Sequence, residues 1–212
     1  MNRMIAGIGA GTVSVTVALF AVCLLLDFAF GAYVVCMILP IGYAMMAAGF
    51  QHECAADRKV AANVGLLFAA VYAVLVSLVY FAQTTLRFDG LSEQAVRILD
   101  FRKGGLLFNY DLLGYGMMAL STFFIGLSLK PARRADKWLK ALLMIHGLFF
   151  FSCFLLPMTG LWDGMADDGA GKAGTVALLC WCLYFLPIGL LSCRHFRVER
   201  MFRPFMKKGE RP

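Results

Sequence analysis

Residues Val60–Phe81 read VAANVGLLFAAVYAVLVSLVYF and carry no charged side chain from one end to the other. A helix needs roughly 20 apolar residues to cross a hydrocarbon core of about 30 Å, and this run supplies them. Five more apolar runs of crossing length flank it: Met4–Leu26, Gly31–Phe50, Gly105–Leu129, Trp138–Pro157 and Gly174–Cys193, of which the third holds Asp111 and the fourth Lys140. The composition agrees, with 61% hydrophobic and 16% charged residues and a mean hydropathy of +0.75. Such a balance lies outside the mix of a water-soluble domain. None of the runs alternates with the period-two pattern of a barrel strand, and a helix satisfies its own backbone in lipid. The expected fold is therefore all-α: a polytopic membrane bundle of six transmembrane helices forming a single domain over residues 1–212.

The first run follows Arg3 as a secretory signal would, but its apolar core is too long for one, so it is read as a retained helix. Charge placement gives the orientation. Fifteen of the 20 lysines and arginines fall in segments that share one side, among them Arg3, Arg58, Lys59, the Lys130–Lys140 turn and the 194–212 tail. Five fall on the other side: Arg87, Arg97, Arg102, Lys103 and Lys172. The positive-inside bias sets both termini in the cytoplasm and makes 194–212 a basic cytoplasmic tail. It also accounts for the net charge of +7 without nucleic acid, leaving the lipid bilayer as the expected partner.

All seven cysteines lie in or at the ends of apolar runs, where they pack as small hydrophobes and stay free thiols. Cys180-Trp181-Cys182 lacks the C-x-x-C redox spacing. Connections are short, so sequence neighbours should pack side by side, with Asp27–Phe30 forming the tightest turn. The longest connection, 82–104, holds an expected external amphipathic helix. Leu91, Ala95, Ile98 and Leu99 take one face of it, Glu93, Gln94, Arg97 and Asp100 the other, and Ser92 is its N-cap. The acidic loop Thr159–Gly169 lacks the ligand spacing of a calcium loop. Trp138 and Trp162 mark opposite ends of the fifth run, as interfacial aromatics do. Gly42-Tyr43-Ala44-Met45-Met46-Ala47 nearly repeats as Gly114-Tyr115-Gly116-Met117-Met118-Ala119, which suggests related helices.

Candidate functional residues are few. Gly7 and Gly11, beside Ala6 and Ala10, form a small-residue ridge in the first run, expected to pack within the bundle or to dock a membrane-protein partner. His52, His146 and His195 are the histidines. Convergence of His146 with either of the others would make a membrane haem or redox protein, the second of two functional readings. No cofactor or metal is expected under the first reading, because no metal-ligand spacing joins these residues.

Asp111 is the third residue of the stretch NYDLLGYGMMALS, Asn109–Ser121. Either it is a buried carboxylate facing a cavity with Tyr115 and Tyr43, or Asn109 caps a helix and the aspartate lies in its first turn. The favoured reading is the helix start, where the helix dipole stabilises an anion. No hydrolase elbow, metalloprotease motif or phosphate-binding loop occurs, so a non-enzymatic component of small-solute transport or partner binding is the leading function.

Asp111-Leu112-Leu113-Gly114-Tyr115, with Ser121-Thr122-Phe123-Phe124 and the basic turn KPARRADKW at Lys130–Trp138, resembles a group of multi-helix bacterial membrane proteins without assigned activity. The resemblance covers one helix and one loop. It implies a bacterial inner-membrane location and supplies no mechanism.

Overall fold

A computed structural model describes residues 1–159 and 170–206, with side chains described within 1–159 and 174–197. Every regular element among these residues is helical. In chain order they are α1 (Asn2–Leu25), α2 (Ala29–Glu53), α3 (Lys59–Thr85), the short α4 (Glu93–Leu99), α5 (Leu106–Ser128), α6 (Arg134–His146), α7 (Phe149–Met158) and α8 (Ala170–Met206). Six stretches are long and apolar enough to cross a bilayer, α6 and α7 together making the fifth. The Thr159–Gly169 loop beyond Thr159, with Trp162, and the tail beyond Met206 lie outside the described residues.

Sequence neighbours pack side by side, as short connections require, and α8 returns to α1. The order α1, α2, α3, α5, α6–α7, α8 and back to α1 therefore closes a ring. Large apolar side chains face outward all along it, including Leu67 at 64%, Val74 at 66% and Leu183 at 74% exposure. Exposed apolar surface on this scale suits hydrocarbon as the surrounding solvent.

The tight first turn has a definite chemistry. Phe28 N–H donates to Cys23 O at 2.9 Å and Asp27 N–H to Leu24 O at 3.3 Å, the paired bonds of a Schellman cap, with Asp27 in the left-handed region at φ 52°. The two helices then close on each other where glycine permits. A Cβ on Gly9 would lie 2.7 Å from Gly42 O and 2.6 Å from Met45 Cβ.

The end of the ring that holds Arg3, Glu53, Lys130 and His195 is rich in cations, and several cap helix C-termini. Arg58 Nη1 donates to Leu127 O and Leu129 O at 3.1 and 3.4 Å, Lys140 Nζ to Leu129 O at 3.0 Å, and Lys59 Nζ to Gln51 O at 2.8 Å. Cations there answer the unpaired carbonyls and the negative pole of the helix.

Two sequence expectations change and a third is refined. The fifth run is not one helix, because Gly147 and Leu148 form a turn between α6 and α7. A Cβ on Gly147 would lie 2.8 Å from Phe123 Cβ, so the break falls at a close approach to α5. The segment from residue 194 is not all a solvated tail, because α8 continues and buries His195 and Phe196. The small-residue ridge divides: Ala6 and Ala10 pack within the bundle as expected, whereas Gly7 and Gly11 do not make close contacts. Ala6, Gly9, Ala10 and Val13 are the buried positions, and nothing stands within 4 Å of a Cβ on Gly11.

Candidate functional site

Asp111 is not at a helix start. Gly104 takes a left-handed conformation at φ 69° and Gly105 is the N-cap, so α5 begins at Leu106 and Asp111 lies in its second turn. Gly105 also fits against the backbone of Arg97 and Ile98, where a side chain would collide. The glycine pair thus sets the boundary that Asn109 was expected to set. At 1.5 Å per residue the aspartate lies about 7 to 8 Å inside the helix.

Asp111 is 5% exposed. Tyr80 OH on α3 donates to Oδ2 at 3.2 Å, whereas Oδ1 accepts no hydrogen bond from the described residues. Tyr80 is itself packed between Tyr33 on α2 and Phe101, with ring centroids 5.7 and 5.9 Å away. Phe101 belongs to the turn after α4. Gln83 fastens that turn down from α3, accepting from Phe101 N–H at 3.1 Å and donating to Leu99 O at 2.8 Å. The expected Ser92 cap is present, its Oγ accepting from Ala95 N–H at 3.3 Å. The connection between α3 and α5 is therefore pinned against Tyr80, the residue that donates to Asp111.

Below Asp111 lies an aromatic layer. Tyr43, Tyr72, Tyr115, Trp181 and Phe185 form a closed circuit across α2, α3, α5 and α8, with successive centroids 5.4, 5.6, 5.2, 5.0 and 6.4 Å apart. The two tyrosines of the near-repeat thus flank Tyr72 from either side. Tyr43 donates to Ser121 Oγ at 2.9 Å and Ser121 to Gly65 O at 2.6 Å. Tyr115 OH lies 3.9 Å from Cys36 Sγ, and the buried Tyr72 OH has no hydrogen-bond partner among the described residues. Of the predicted trio, Tyr115 is one turn from Asp111, while Tyr43 belongs to the layer. Tyr80, Gln83 and Phe101 were missed. Their only signal was a polar or aromatic residue near the end of an apolar run, which interfacial anchoring explains equally well.

His146 sits beside the same layer and is 3% exposed. Trp181 Nε1–H donates to its Nε2 at 3.2 Å. The ring must then carry its proton on Nδ1, which donates to Thr122 Oγ1 at 2.8 Å, and Thr122 passes its own hydroxyl to Ala119 O at 2.8 Å. Both ring nitrogens are engaged within the protein, leaving neither free to ligate.

His195, expected in the basic tail from residue 194, is instead built into the bundle. It is 7% exposed. Its Nδ1 lies 2.9 Å from Asp136 Oδ1 and its Nε2 3.4 Å from Glu53 Oε2. Two carboxylates on opposite edges of the ring call for two N–H donors, the imidazolium form. Arg3 Nε reaches Glu53 at 2.6 Å, and Asp136 Oδ2 caps α6 by accepting from Arg133 N–H at 3.1 Å. One network thereby ties α1, α2, α6 and α8 together. His52, by contrast, is exposed and bonded to Asn2 at 3.0 Å. The histidines do not converge: Asp136, beside His195, and His146 are ten residues apart on α6, about 15 Å along its axis. Among the described residues no group of three His, Cys, Asp or Glu side chains is placed to hold a metal ion.

No protein-family model matches this chain, and no curated protein or solved structure matches it.

Proposed function

We propose that this is a multi-pass protein of the bacterial inner membrane, with both termini cytoplasmic, and that it serves as a non-enzymatic component of small-solute transport. The Asp111 centre is its solute site. The observation that carries this reading is Asp111 Oδ1, a buried carboxyl oxygen without a partner among the described residues. A carboxylate held among apolar helices without a counter-charge is costly, and ionisable groups kept there mark substrate or ion pathways. Its surroundings fit: the Phe101 segment packs on its donor Tyr80 on one side and the five-ring layer closes it on the other. A proton, a small cation or the amino group of a solute would complete the unpaired oxygen, with Tyr80 OH holding the other. The haem reading has no geometric support at His146, whose nitrogens are both engaged.

Thermal unfolding in detergent, with sodium, potassium, ammonium and ethanolamine added in turn, tests the assignment. At least one cation should raise the Tm of the wild type and leave Asp111→Asn unmoved. Identical responses of the two proteins to every cation would overturn the site.

A further inference from the structure

We propose that the groove between α1 and α8 at the cation-rich end binds one anionic phospholipid, its phosphate held by Arg3, His52 and Arg197 and an acyl chain lying along Gly7 toward Gly11. The groove has a volume of about 710 Å³, within the usual range of small-molecule sites. Its rim carries those three basic residues, and none of the described residues lining it is acidic. Arg3 is fixed in place by Glu53 at 2.6 Å, and His52 by Asn2 at 3.0 Å, so two of the three are pre-positioned. Below the rim the walls turn apolar, with Ile8 and Phe196 flanking Gly7.

Glycine makes the room. The nearest atom to a Cβ on Gly7 would be Phe196 Cβ at 3.9 Å, and a Cβ on Gly11 would meet nothing within 4 Å. Both glycines are thus spare to the fold, in contrast with Gly9 between them. A cationic rim above an apolar slot between helices has the form of a lipid headgroup site. A protein helix docked on the same ridge, the other occupant the sequence suggests, would cover Arg197 without supplying an anion beside it. Free phosphate would leave the apolar slot below it unfilled.

Native mass spectrometry of the detergent-purified full chain tests this, with phosphatidylglycerol and phosphatidylcholine of equal chain length as probes. One phosphatidylglycerol should be retained in preference to phosphatidylcholine. Arg197→Gln should weaken its retention about fivefold, as loss of one interfacial cation does. Gly7→Leu should weaken both lipids by filling the slot, and an unchanged Tm for each variant would show that the bundle is intact. Equal retention of the two lipids, or wild-type retention by both variants, overturns the proposal. Displacement of the lipid by millimolar inorganic phosphate would overturn it in favour of a free-phosphate site. A second protein copy that persists when phosphatidylglycerol is added, and is lost in Gly7→Leu, would overturn it in favour of a protein interface.

Discussion

The indole N–H of Trp181 donates to Nε2 of His146 across 3.2 Å, and that bond decides where the imidazole proton sits. A doubly protonated ring would set one N–H against another inside the bundle. Nitrogen NMR of histidine-labelled protein near neutral pH should therefore show one neutral, Nδ1-protonated ring beside the charged ring of His195. Trp181→Phe leaves Nε2 unsatisfied and should lower stability by about 1–3 kcal/mol in detergent unfolding.

Gly9 and Gly11 are close neighbours in sequence with opposite tolerances. Gly9→Ala places a methyl group against the backbone of Gly42 and Met46, at 2.7 Å from each, and should separate α1 from α2 at a cost of about 1–3 kcal/mol. Gly11→Ala meets open space and should gain about 0.5–1 kcal/mol of helix propensity. Unfolding of the two variants in parallel checks the contrast.

Asp27 holds a conformation that glycine adopts without strain. Asp27→Gly should preserve the cap and stabilise the protein by up to about 1 kcal/mol, and Asp27→Val should destabilise it. Their Tm values should fall on either side of the wild type.

His195 stands between two buried carboxylates. His195→Leu leaves Glu53 and Asp136 facing a hydrocarbon side chain and should cost about 3–5 kcal/mol, the penalty for removing one member of a buried ionic group. Asp136→Asn in that background should recover part of the loss, since it neutralises the carboxylate left facing the hydrocarbon side chain, whereas Glu53 keeps Arg3. A double-mutant cycle of unfolding energies measures the coupling.

Orientation is testable through single cysteines placed in a cysteine-free background at Ala56, Ala132 and Gly90, all exposed positions. An impermeant thiol reagent applied to whole cells should label Gly90→Cys and spare Ala56→Cys and Ala132→Cys. Labelling at 132 from outside would reverse the assigned topology.

The six apolar runs were legible because crossing length and scarcity of charge are properties of contiguous sequence. The burial of His195 was not. Its neighbours Arg194 and Arg197 are basic, so composition pointed to solvent, while its partners Glu53 and Asp136 are remote in sequence. Asp111 was misplaced for a related reason. Asn109 is a good N-cap by type, but Gly104 and Gly105 end the preceding turn first, a backbone effect that hydrophobicity does not report. The aromatic layer was equally hidden, since in an apolar run a tyrosine facing inward reads the same as one facing lipid.

The turn between α6 and α7 changes the rotational phase of the fifth span. Around it, Gly147 and Leu148 donate to Met144 O and Ile145 O, while Phe150 and Phe151 donate to Gly147 O and Leu148 O, all three residues back at 3.0–3.2 Å. Such bonds keep the backbone satisfied while advancing each residue by about 120° instead of about 100°, so α7 is rotated about the axis of the span relative to a straight continuation of α6. Side chains up to His146 are aimed by α6 at both α5 and α8, whereas Cys153 on α7 is turned onto α5, beside Gly116. One span thus presents two differently directed faces, and a single residue inserted or deleted at the turn would redirect every side chain of α7 while leaving α6 in register.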